Sequence, residues 1–508
     1  MLSGTGVVVL LAFVTYLLKR LLARSSSAPL PPGPKGLPFI GNLFDLPKDH
    51  EWETFTRWGK EFGDLTMVKA LGTNMLVINS SKIAVELLEK KSNIYSDRPS
   101  MKMACDLIGH NEHSIFSPYN DRLRLFRKMF HGALAGKENL DSQAPIEEHE
   151  THRFLYRLSR SPDNLREELR RLAGAIIVKI SHGYELVPVG DDPMIDLVER
   201  VMAEFGDVTT PGHYVVDIMP WLAYLPGWLP GMGFKKVAVE MRKTLYDGKN
   251  MPVAFVKDRM AQGTAIPCFT SRCLEQIAEG MAPYDEDMVG WAGINLYGGG
   301  ADTTNHSFFL AMMLHPDIQK KAQEELDRVV GPDRLPTLAD RERLPYTDAL
   351  MKETLRWQVV APQALPHVLR EDDIHNGFFI PKGTICIPNV WGFLHDPATY
   401  RDPETFDPSR FIEVEGKLAE TDPRLFCFGF GRRICPGRQL ADSTVFLQCA
   451  MSLAVFDISK PLDNSGNVVE PVVDRTSGII THPTPFPCTI KPRSARAAAL
   501  IRSFEDAQ

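Results

Sequence analysis

A cysteine-centred loop near the C-terminus constrains this chain more than any other feature of its sequence. The loop matches the pattern F-x-x-G-x-R-x-C-x-G with Phe428, Gly431, Arg433, Cys435 and Gly437. Five specified positions, each matched by chance at about one in twenty, give odds on the order of one in ten thousand for a chain of this length. Glycines let the backbone approach a flat group, and a turn can direct amide N–H groups at a thiolate sulfur. The pattern therefore predicts a ligand cysteine at position 435.

The residues around this loop support the same interpretation. Pro436 begins a predicted helical run over Gly437–Leu453, so Cys435 lies at a helix N-terminus, whose positive end favours thiolate over thiol. A lone cysteine is more often an inert buried thiol, and we assign that role to Cys427, which lacks the glycine and arginine frame. The chain has 8 cysteines in 508 residues and no C-x-x-C pair. This favours a reducing compartment over a disulfide scaffold or a zinc site.

The N-terminus predicts a membrane anchor. Residues 1–18 carry no charge and are followed at once by Lys19, Arg20 and Arg24, and the apolar stretch is near the roughly 18–20 residue minimum for a spanning helix. Because the basic cluster follows the apolar run, a cleavable signal is disfavoured, and the positive-inside rule leaves the bulk of the chain in the cytosol. A buried core helix is the alternative interpretation.

We expect three parts along the chain. Residues 1–24 form the anchor with its basic stop, and residues 25–42 form a linker rich in serine, proline and glycine. Prolines fix the backbone and remove donors, so this linker should hold the body at a set distance from the anchor rather than join the core. Residues 43–508 form a single domain.

The pattern of the body predicts a mainly α fold with a smaller β-rich part. Apolar spacing indicates helices over Asp287–Leu314 and Asp317–Val330, and strand signals occur at Leu65–Ile78, Gly377–Ile387 and around Ile479–Ile490. The net charge is −7, from 57 basic and 64 acidic residues. With no long basic run outside the N-terminal region, nucleic acid is a poor candidate partner.

An aromatic segment at residues 220–229 combines two tryptophans and a tyrosine with proline and glycine, and Lys235 and Lys236 follow it. Interfacial aromatics with flanking lysines predict a second contact with a membrane. A loop packed onto the protein's own core is the alternative.

An acid and an alcohol interrupt the apolar helix before Leu314. Asp302 and Thr303 follow Gly299, Gly300 and Ala301. Small residues can open a helix locally, and the carboxyl and hydroxyl provide groups that move protons. The structural alternative is an aspartate held in an ion pair and a threonine bonded back to its own helix.

Two weaker motifs follow. Glu353 and Arg356 are spaced i, i+3, which puts both side chains on one helical face. Arg410 occurs in the sequence F-D-P-S-R-F. Surface pairs of this kind are common and contribute only about 0–1 kcal/mol, so alone they carry little weight.

Together these motifs, in this order, resemble the cytochrome P450 superfamily, and the anchor and layout resemble its microsomal members in fungi. The resemblance covers essentially the whole chain after the linker. It implies haem b with the thiolate of Cys435 as axial ligand, and a long distal helix that carries Ala301 and the catalytic pair Asp302 and Thr303 over the opposite face. Phe428, Gly431 and Gly437 belong to the implied haem-binding loop, and Glu353, Arg356 and Arg410 form a buried network behind the haem.

The resemblance also implies three cations for the haem propionates, at Arg433, His367 and Arg127. The segment before Arg127 departs from the family pattern, because Leu123 stands where the family usually has tryptophan and Asn120 replaces the usual glycine. Arg124 therefore competes with Arg127 for the contact. For His367, a satisfied core histidine is the alternative.

The implied activity inserts one oxygen atom from dioxygen into a small, largely apolar substrate, in secondary metabolism. The chain has no flavin or NADPH fingerprint, so the resemblance implies electrons from a membrane-bound NADPH–cytochrome P450 reductase, with cytochrome b5 as a candidate second partner. It implies a single-pass protein of the endoplasmic reticulum membrane with its haem-binding catalytic domain in the cytosol.

Two other functions are weighed against this one. One is an isomerase or dehydratase on the same fold that needs no external electrons, and the other is a non-catalytic haem-binding protein. The Asp302–Thr303 pair counts against both, because neither needs a proton relay for dioxygen. By family analogy the substrate pocket would draw on four regions with a few polar points at Asn295 and Gln363. The regions are Met101–Ser114, the distal helix near Asn295 and Ala301, Val360–Leu365 and Gly478–Ile480.

Overall fold

Helices account for most of the fold in this computed structural model, which describes residues 28–187, 192–210, 212–300 and 304–506. In chain order the α-helices are α1 Glu51–Phe62, α2 Ser81–Ala84, α3 Asp121–Leu134, α4 Lys137–Arg160, α5 Leu165–His182, α6 Pro193–Thr209, α7 Val215–Ile218, α8 Phe234–Ala261, α9 Phe269–Ala278, α10 Glu286–Gly300, α11 Asn305–Leu314, α12 Pro316–Val329, α13 Pro345–Trp357, α14 Val390–Leu394, α15 Arg424–Cys427, α16 Arg438–Val455 and α17 Ala495–Asp506. Two π-helical segments, Val85–Lys90 and Lys102–Ile108, lie between α2 and α3.

The strands are short and form three small sheets within the described residues. They are β1 Leu65–Ala70, β2 Thr73–Ile78, β3 His367–Val368, β4 Asp373–His375, β5 Phe378–Ile380, β6 Ile385–Pro388, β7 Phe456–Ser459 and β8 Thr489–Pro492. The largest sheet has the order β1-β2-β6-β3, and the pairs β4-β5 and β7-β8 form the other two. The fold is thus mainly α with a small β part, as the sequence predicts, although the signal near Ile479–Ile490 becomes a strand only from Thr489.

The core lies between helices, and α11 is its most enclosed element. Residues 305–313 of this helix are all buried, because a helix that is apolar on every side can be stable only when protein surrounds it. Helices α4, α5, α10 and α16 pack around the same apolar cluster. Within this core α11 contacts α16, the helix that follows the cysteine loop.

Part of the predicted linker forms hydrogen bonds with strand β1. The amide of Met67 donates to the carbonyl of Pro32 at 2.8 Å, and the amide of Asn42 donates to the carbonyl of Lys69 at 2.7 Å. At Gly33 a Cβ would lie only 2.0 Å from the carbonyl oxygen of Met67. Residues 32–42 therefore pack along the sheet edge, which differs from a linker held away from the body.

No helix in the described ranges is long and apolar enough to cross a membrane. The predicted anchor at residues 1–24 lies outside the described residues. In the aromatic segment, Trp221, Tyr224 and Trp228 are exposed, while Leu222 and Ala223 contact the core. The three large rings are therefore exposed, while residues between them pack onto the core.

Candidate cofactor site

The cysteine loop runs from the end of α15 to the start of α16 and folds back on itself. The amide of Cys435 donates to the carbonyl of Phe428 at 2.8 Å, which closes the turn. Gly429 and Gly431 have φ of 77° and 53°, a region that residues with a Cβ rarely adopt. The loop thus holds the thiol of Cys435 directly before the first turn of α16.

The sequence argument explains the glycine at position 431 by the close approach of a flat group, but protein backbone also approaches this residue closely. A Cβ at this position would lie 2.2 Å from the carbonyl oxygen of Leu88 and 3.0 Å from the Cα of Glu89. The backbone that approaches Gly431 most closely is therefore the π-helical segment Val85–Lys90. This glycine lets the loop pack on that segment, in addition to its positive φ.

Opposing effects act on the thiol of Cys435. A hydrogen bond from the backbone at Gly437 and the charges of Arg127 and Arg438 lower the pKa of its thiol, but burial raises that pKa more, so the net shift is upward. The backbone at the helix N-terminus thus favours the thiolate, while desolvation disfavours the anion. A bound metal cation would supply the missing charge, since a coordinating thiol is deprotonated outright.

Arg433 projects from this loop into a pocket of backbone oxygens. Its Nε donates to the carbonyl of Ser96 at 2.7 Å and its Nη1 donates to Ser114 at 2.9 Å, and Nη2 donates to Ser117. Burial, and the nearby charge of Arg127, lower its pKa to about 10. Three of its five N–H groups are occupied by neutral acceptors, so the guanidinium retains charge and donors for an anion.

A second arginine, Arg98, lies in the same place and was missed by sequence reasoning. Its Nη1 donates to the carbonyl of Pro366 at 2.7 Å and to that of Leu365, and its Nε has no partner among the described residues. Burial, followed by the charge of Arg433, lowers its pKa well below the usual value. The linear sequence does not show that this arginine lies at the site, because a β-bridge between Asp97 and Val368 places it beside His367.

His367 lies between the two arginines and the sheet. Its Nδ1 is 2.6 Å from the carbonyl oxygen of Tyr95. Burial, then the charges of Arg98 and Arg433, hold its pKa well below the usual value. The ring is therefore oriented by one backbone contact. When neutral, it donates its single N–H from Nδ1 to that carbonyl, which leaves Nε2 as an acceptor and adds no net charge.

The structure separates the two arginines of α3. Arg127 is partly buried and its Nη1 donates to the carbonyl of Ile434 at 2.5 Å, inside the cysteine loop. Arg124 is exposed and pairs with Asp121 at 2.6 Å. Asn120, which replaces the family's glycine, accepts from the amide of Leu123 at 3.0 Å and caps the helix. Of the two, only Arg127 reaches the loop.

These groups fit a dianionic cofactor whose metal would be held by the sulfur of Cys435. Arg98, Arg127 and Arg433 form a partly buried cationic cluster. The charge of Asp97 raises the pKa of Arg433, but Asp97 already pairs with Arg370 at 2.9 Å. A buried cation with an unused donor is costly unless an anion approaches it. Carboxylates of haem would supply that anion at the arginines, and Cys435 would supply the ligand.

The supporting network is fully formed. Arg356 Nε and Nη2 contact the two oxygens of Glu353 at 2.7 and 2.9 Å. Arg410 Nε donates to Glu353 at 3.1 Å, and its Nη1 pairs with Glu420 at 2.7 Å. Arg356 and Glu353 are completely buried, so Arg356 would be an unpaired buried charge without Glu353. This network ties α13 to the segment that leads into the cysteine loop.

The distal helix is described up to Gly300 and again from Thr304. Ala301, Asp302 and Thr303 lie outside the described residues. One turn before Gly299, Asn295 Oδ1 accepts from the hydroxyl of Ser114 at 2.9 Å, which joins this helix to the loop that holds Arg433.

Gln363, predicted as a polar point of the pocket, donates to Glu51 on α1 at 3.1 Å. This contact directs its amide toward the first helix.

Comparisons with known proteins identify the family. The model of the family "Cytochrome P450" matches residues 31–489. The chain is 48% identical to cytochrome P450 monooxygenase 208 of Postia placenta over 99% of this chain and 98% of that protein. It is 46% identical to cytochrome P450 monooxygenase claR of Ampulloclitocybe clavipes over 97% and 91% of the two chains. It is 40% identical to cytochrome P450 monooxygenase CLM2 of Gibberella zeae over 94% and 92%. The chain therefore belongs to the cytochrome P450 family and is an oxidoreductase of its fungal monooxygenase branch.

Proposed function

We propose that this protein inserts one atom of dioxygen into a small, largely apolar metabolite, in a pathway of secondary metabolism. The observation that carries the proposal is the pairing of one ligand cysteine with a partly buried cluster of arginines. Such a cluster suits the two carboxylates of haem. Bound haem supplies reductive activation of dioxygen.

The chain's own residues prepare the site for that chemistry. The turn between Phe428 and Cys435 holds the sulfur at one end of α16, and Arg127 secures the loop through Ile434. The roles assigned to Asp302 and Thr303 are to move protons to the distal side through a carboxyl and a hydroxyl. The Glu353 network keeps α13 in register with the loop.

We expect the substrate pocket to suit an apolar molecule with few polar groups. Phe116 and Phe205 have rings 5.9 Å apart, and Asn295 and Ser114 form a hydrogen-bonded polar pair beside Arg433. Because Gln363 is engaged with Glu51, fewer polar groups remain for the substrate than the sequence suggests. Apolar walls with a small number of placed polar groups are typical of such sites.

Turnover under oxygen-18 dioxygen tests the proposal. The full chain is reconstituted with NADPH–cytochrome P450 reductase and NADPH, and given apolar fungal metabolites chosen by their effect on the Soret band. We expect one labelled oxygen atom in each product and no product without NADPH. Thr303→Ala should lower the amount of product formed per NADPH consumed.

The alternatives give different outcomes in the same experiment. An isomerase or dehydratase would convert its substrate without NADPH and without label. A non-catalytic haem-binding protein would bind ligands and form no product with any member of the panel.

We also propose the location and partners. The protein is anchored in the endoplasmic reticulum membrane by residues 1–24, with its catalytic domain in the cytosol and electrons delivered by the reductase, with cytochrome b5 as a candidate second donor. Support comes from the uncharged N-terminal run with its basic stop and from the exposed rings of Trp221, Tyr224 and Trp228. Large aromatic side chains are favoured at membrane interfaces.

A further inference from the structure

Two histidines before α3 are buried with unsatisfied nitrogens. His110 is 2% exposed and His113 is 6% exposed. Among the described residues, neither Nδ1 of His110 nor Nε2 of His113 has a hydrogen-bond partner. Buried polar atoms in folded proteins are nearly always paired with protein, water or ligand. Two orphaned nitrogens within one short segment therefore indicate a missing partner.

The surroundings of these nitrogens are aromatic. The ring of His110 lies 5.4 Å from Phe205 and 4.9 Å from His113, both in edge-on geometry. The ring of His113 lies 5.1 Å from Trp291, again edge-on. Apolar rings cannot serve as the hydrogen-bond partner that an imidazole nitrogen needs in the plane of its ring. The two histidines thus place polar atoms among apolar rings.

The histidine pair is connected to the cofactor site through Ser114, the residue after His113. Ser114 donates from its hydroxyl to Asn295 at 2.9 Å, and its carbonyl accepts from Arg433 at 2.9 Å. On the distal helix, Trp291 precedes Gly299 by eight residues, which corresponds to about 12 Å along a helix. The histidine pair therefore lies beside the described part of the distal helix, about two turns before Gly299.

The charge state of the pair restricts what it can bind. Burial lowers the pKa of His110 to about 4, and burial, with the charge of His110, holds the pKa of His113 well below the usual value. Both rings are neutral at physiological pH, so each offers one donor and one acceptor. A hydroxyl or carbonyl can match these groups, whereas a carboxylate would lose its hydration without gaining a countercharge.

We propose that His110 and His113 bind a neutral oxygen function, a hydroxyl or a carbonyl, on a largely apolar substrate. The substrate class is therefore a neutral alcohol, ketone or lactone rather than a carboxylic acid. This inference rests on the proposed function, because it concerns the same distal pocket.

Iron-binding probes of defined polarity test the proposal. Three imidazoles carry an octyl chain that ends in a methyl group, a hydroxyl or a carboxylate, and their binding to the ferric protein is read from the Soret shift. In the native protein we expect the hydroxyl to improve affinity about tenfold over the methyl group, the usual gain for one or two buried hydrogen bonds. The carboxylate should bind more weakly than either.

Substitutions then assign the gain to the two rings. His110→Phe and His113→Phe should abolish the advantage of the hydroxyl, keep the affinity for the methyl-ended probe, and raise the melting temperature, because each removes an orphaned polar atom from an aromatic pocket. His306→Phe is the matched control. That histidine is also buried and stacks on Phe486 at 4.7 Å, and its substitution should leave the ranking of the probes unchanged.

Several outcomes would overturn the inference. One is equal binding of the methyl and hydroxyl probes by the native protein, and another is tightest binding of the carboxylate. A loss of affinity for all three probes in His113→Phe would indicate a packing role only. The native series alone decides the question if the variants fail to fold. Absence of any azole-induced Soret shift would instead contradict the proposed haem-thiolate site.

Discussion

Arg98 is a buried cation whose Nε lacks a partner among the described residues, beside Arg433 and His367. We expect Arg98→Leu to weaken haem retention, because a charge-assisted hydrogen bond contributes about 1.5–3 kcal/mol and its loss corresponds to about tenfold or more in affinity. The rate of haem transfer to apomyoglobin measures this. Arg98→Lys should show a smaller effect.

Arg124→Leu provides the control, because that arginine is exposed and paired with Asp121. Its haem transfer rate should match that of the native protein. Equal rates in Arg98→Leu and Arg124→Leu would contradict the assigned role of Arg98.

Sequence reasoning at this scale depended on motifs, and it succeeded where the motif itself sets the geometry. Glu353, Arg356 and Arg410 meet as the resemblance implied. Arg98 could not be found in this way, because only the bridge between Asp97 and Val368 brings it to the site. The burial that raises the thiol pKa of Cys435 could not be found in this way either, since burial depends on packing that a linear sequence does not show.

Between elements, Glu147 joins α4 to α16. It accepts from the hydroxyls of Ser443 and Thr444, each at 2.7 Å. Burial raises its pKa from the model-compound value of 4.5 to about 7. Between about pH 4.5 and pH 7, this carboxyl is therefore protonated in the folded state and ionised in the unfolded state. Its contribution to stability is present below about pH 4.5 and is lost as the pH rises to about 7.

We expect Glu147→Gln to be more stable than the native protein at pH 8, by up to about 3 kcal/mol, and nearly equal to it near pH 4.5. The glutamine keeps an acceptor and carries no charge to desolvate. Urea unfolding of both proteins across this range gives the difference. Glu138→Gln, an exposed change on the same helix, controls for the loss of one negative charge. A difference that grows toward acid pH would contradict the assignment.

A charged network joins the two ends of the cysteine loop. Asp442 on α16 pairs with Arg424 on α15 at 2.9 Å and with Arg341 at 2.6 Å, and Arg341 also pairs with Asp348 on α13 at 2.7 Å. Isolated exposed pairs contribute little, but a network of shared arginines constrains geometry more strongly.

We expect Asp442→Asn to increase the fraction of reduced, carbon-monoxide-bound protein that lacks the red-shifted Soret band, because the loop ends become less constrained. Asp442→Glu should restore part of that band. Asp327→Asn, which breaks a remote pair with Arg493, is the control. An unchanged spectrum in Asp442→Asn would show that the network does not position the sulfur.

At the scale of the molecule, the sequence pattern predicted the mainly α fold, and it placed the helices Asp317–Val330 and Gly437–Leu453 within about two residues of their observed bounds. It could not predict that residues 32–42 pack along β1, because that contact is made by backbone groups such as those of Pro32 and Met67. It also left the aromatic segment undecided, and exposure of Trp221, Tyr224 and Trp228 is a tertiary property.

We expect the chain without residues 1–24 to retain weak binding to vesicles of phosphatidylcholine and phosphatidylserine, through the exposed rings of Trp221 and Trp228. Trp221→Ala with Trp228→Ala in the shortened chain should abolish co-sedimentation. Leu418→Ala with Val472→Ala, also exposed and apolar, should not. Loss of all binding on removal of residues 1–24 alone would contradict this second contact.

The central claim is that Cys435 is the axial ligand of a bound haem. The difference spectrum of the dithionite-reduced, carbon-monoxide-bound protein tests it most directly, with the native chain and Cys435→Ala compared side by side and Cys427→Ala as the matched control. We predict a strongly red-shifted Soret band in the native protein and in Cys427→Ala, and its loss in Cys435→Ala. A band typical of histidine-ligated haem in the native protein, or a red-shifted band that persists in Cys435→Ala, would contradict the account.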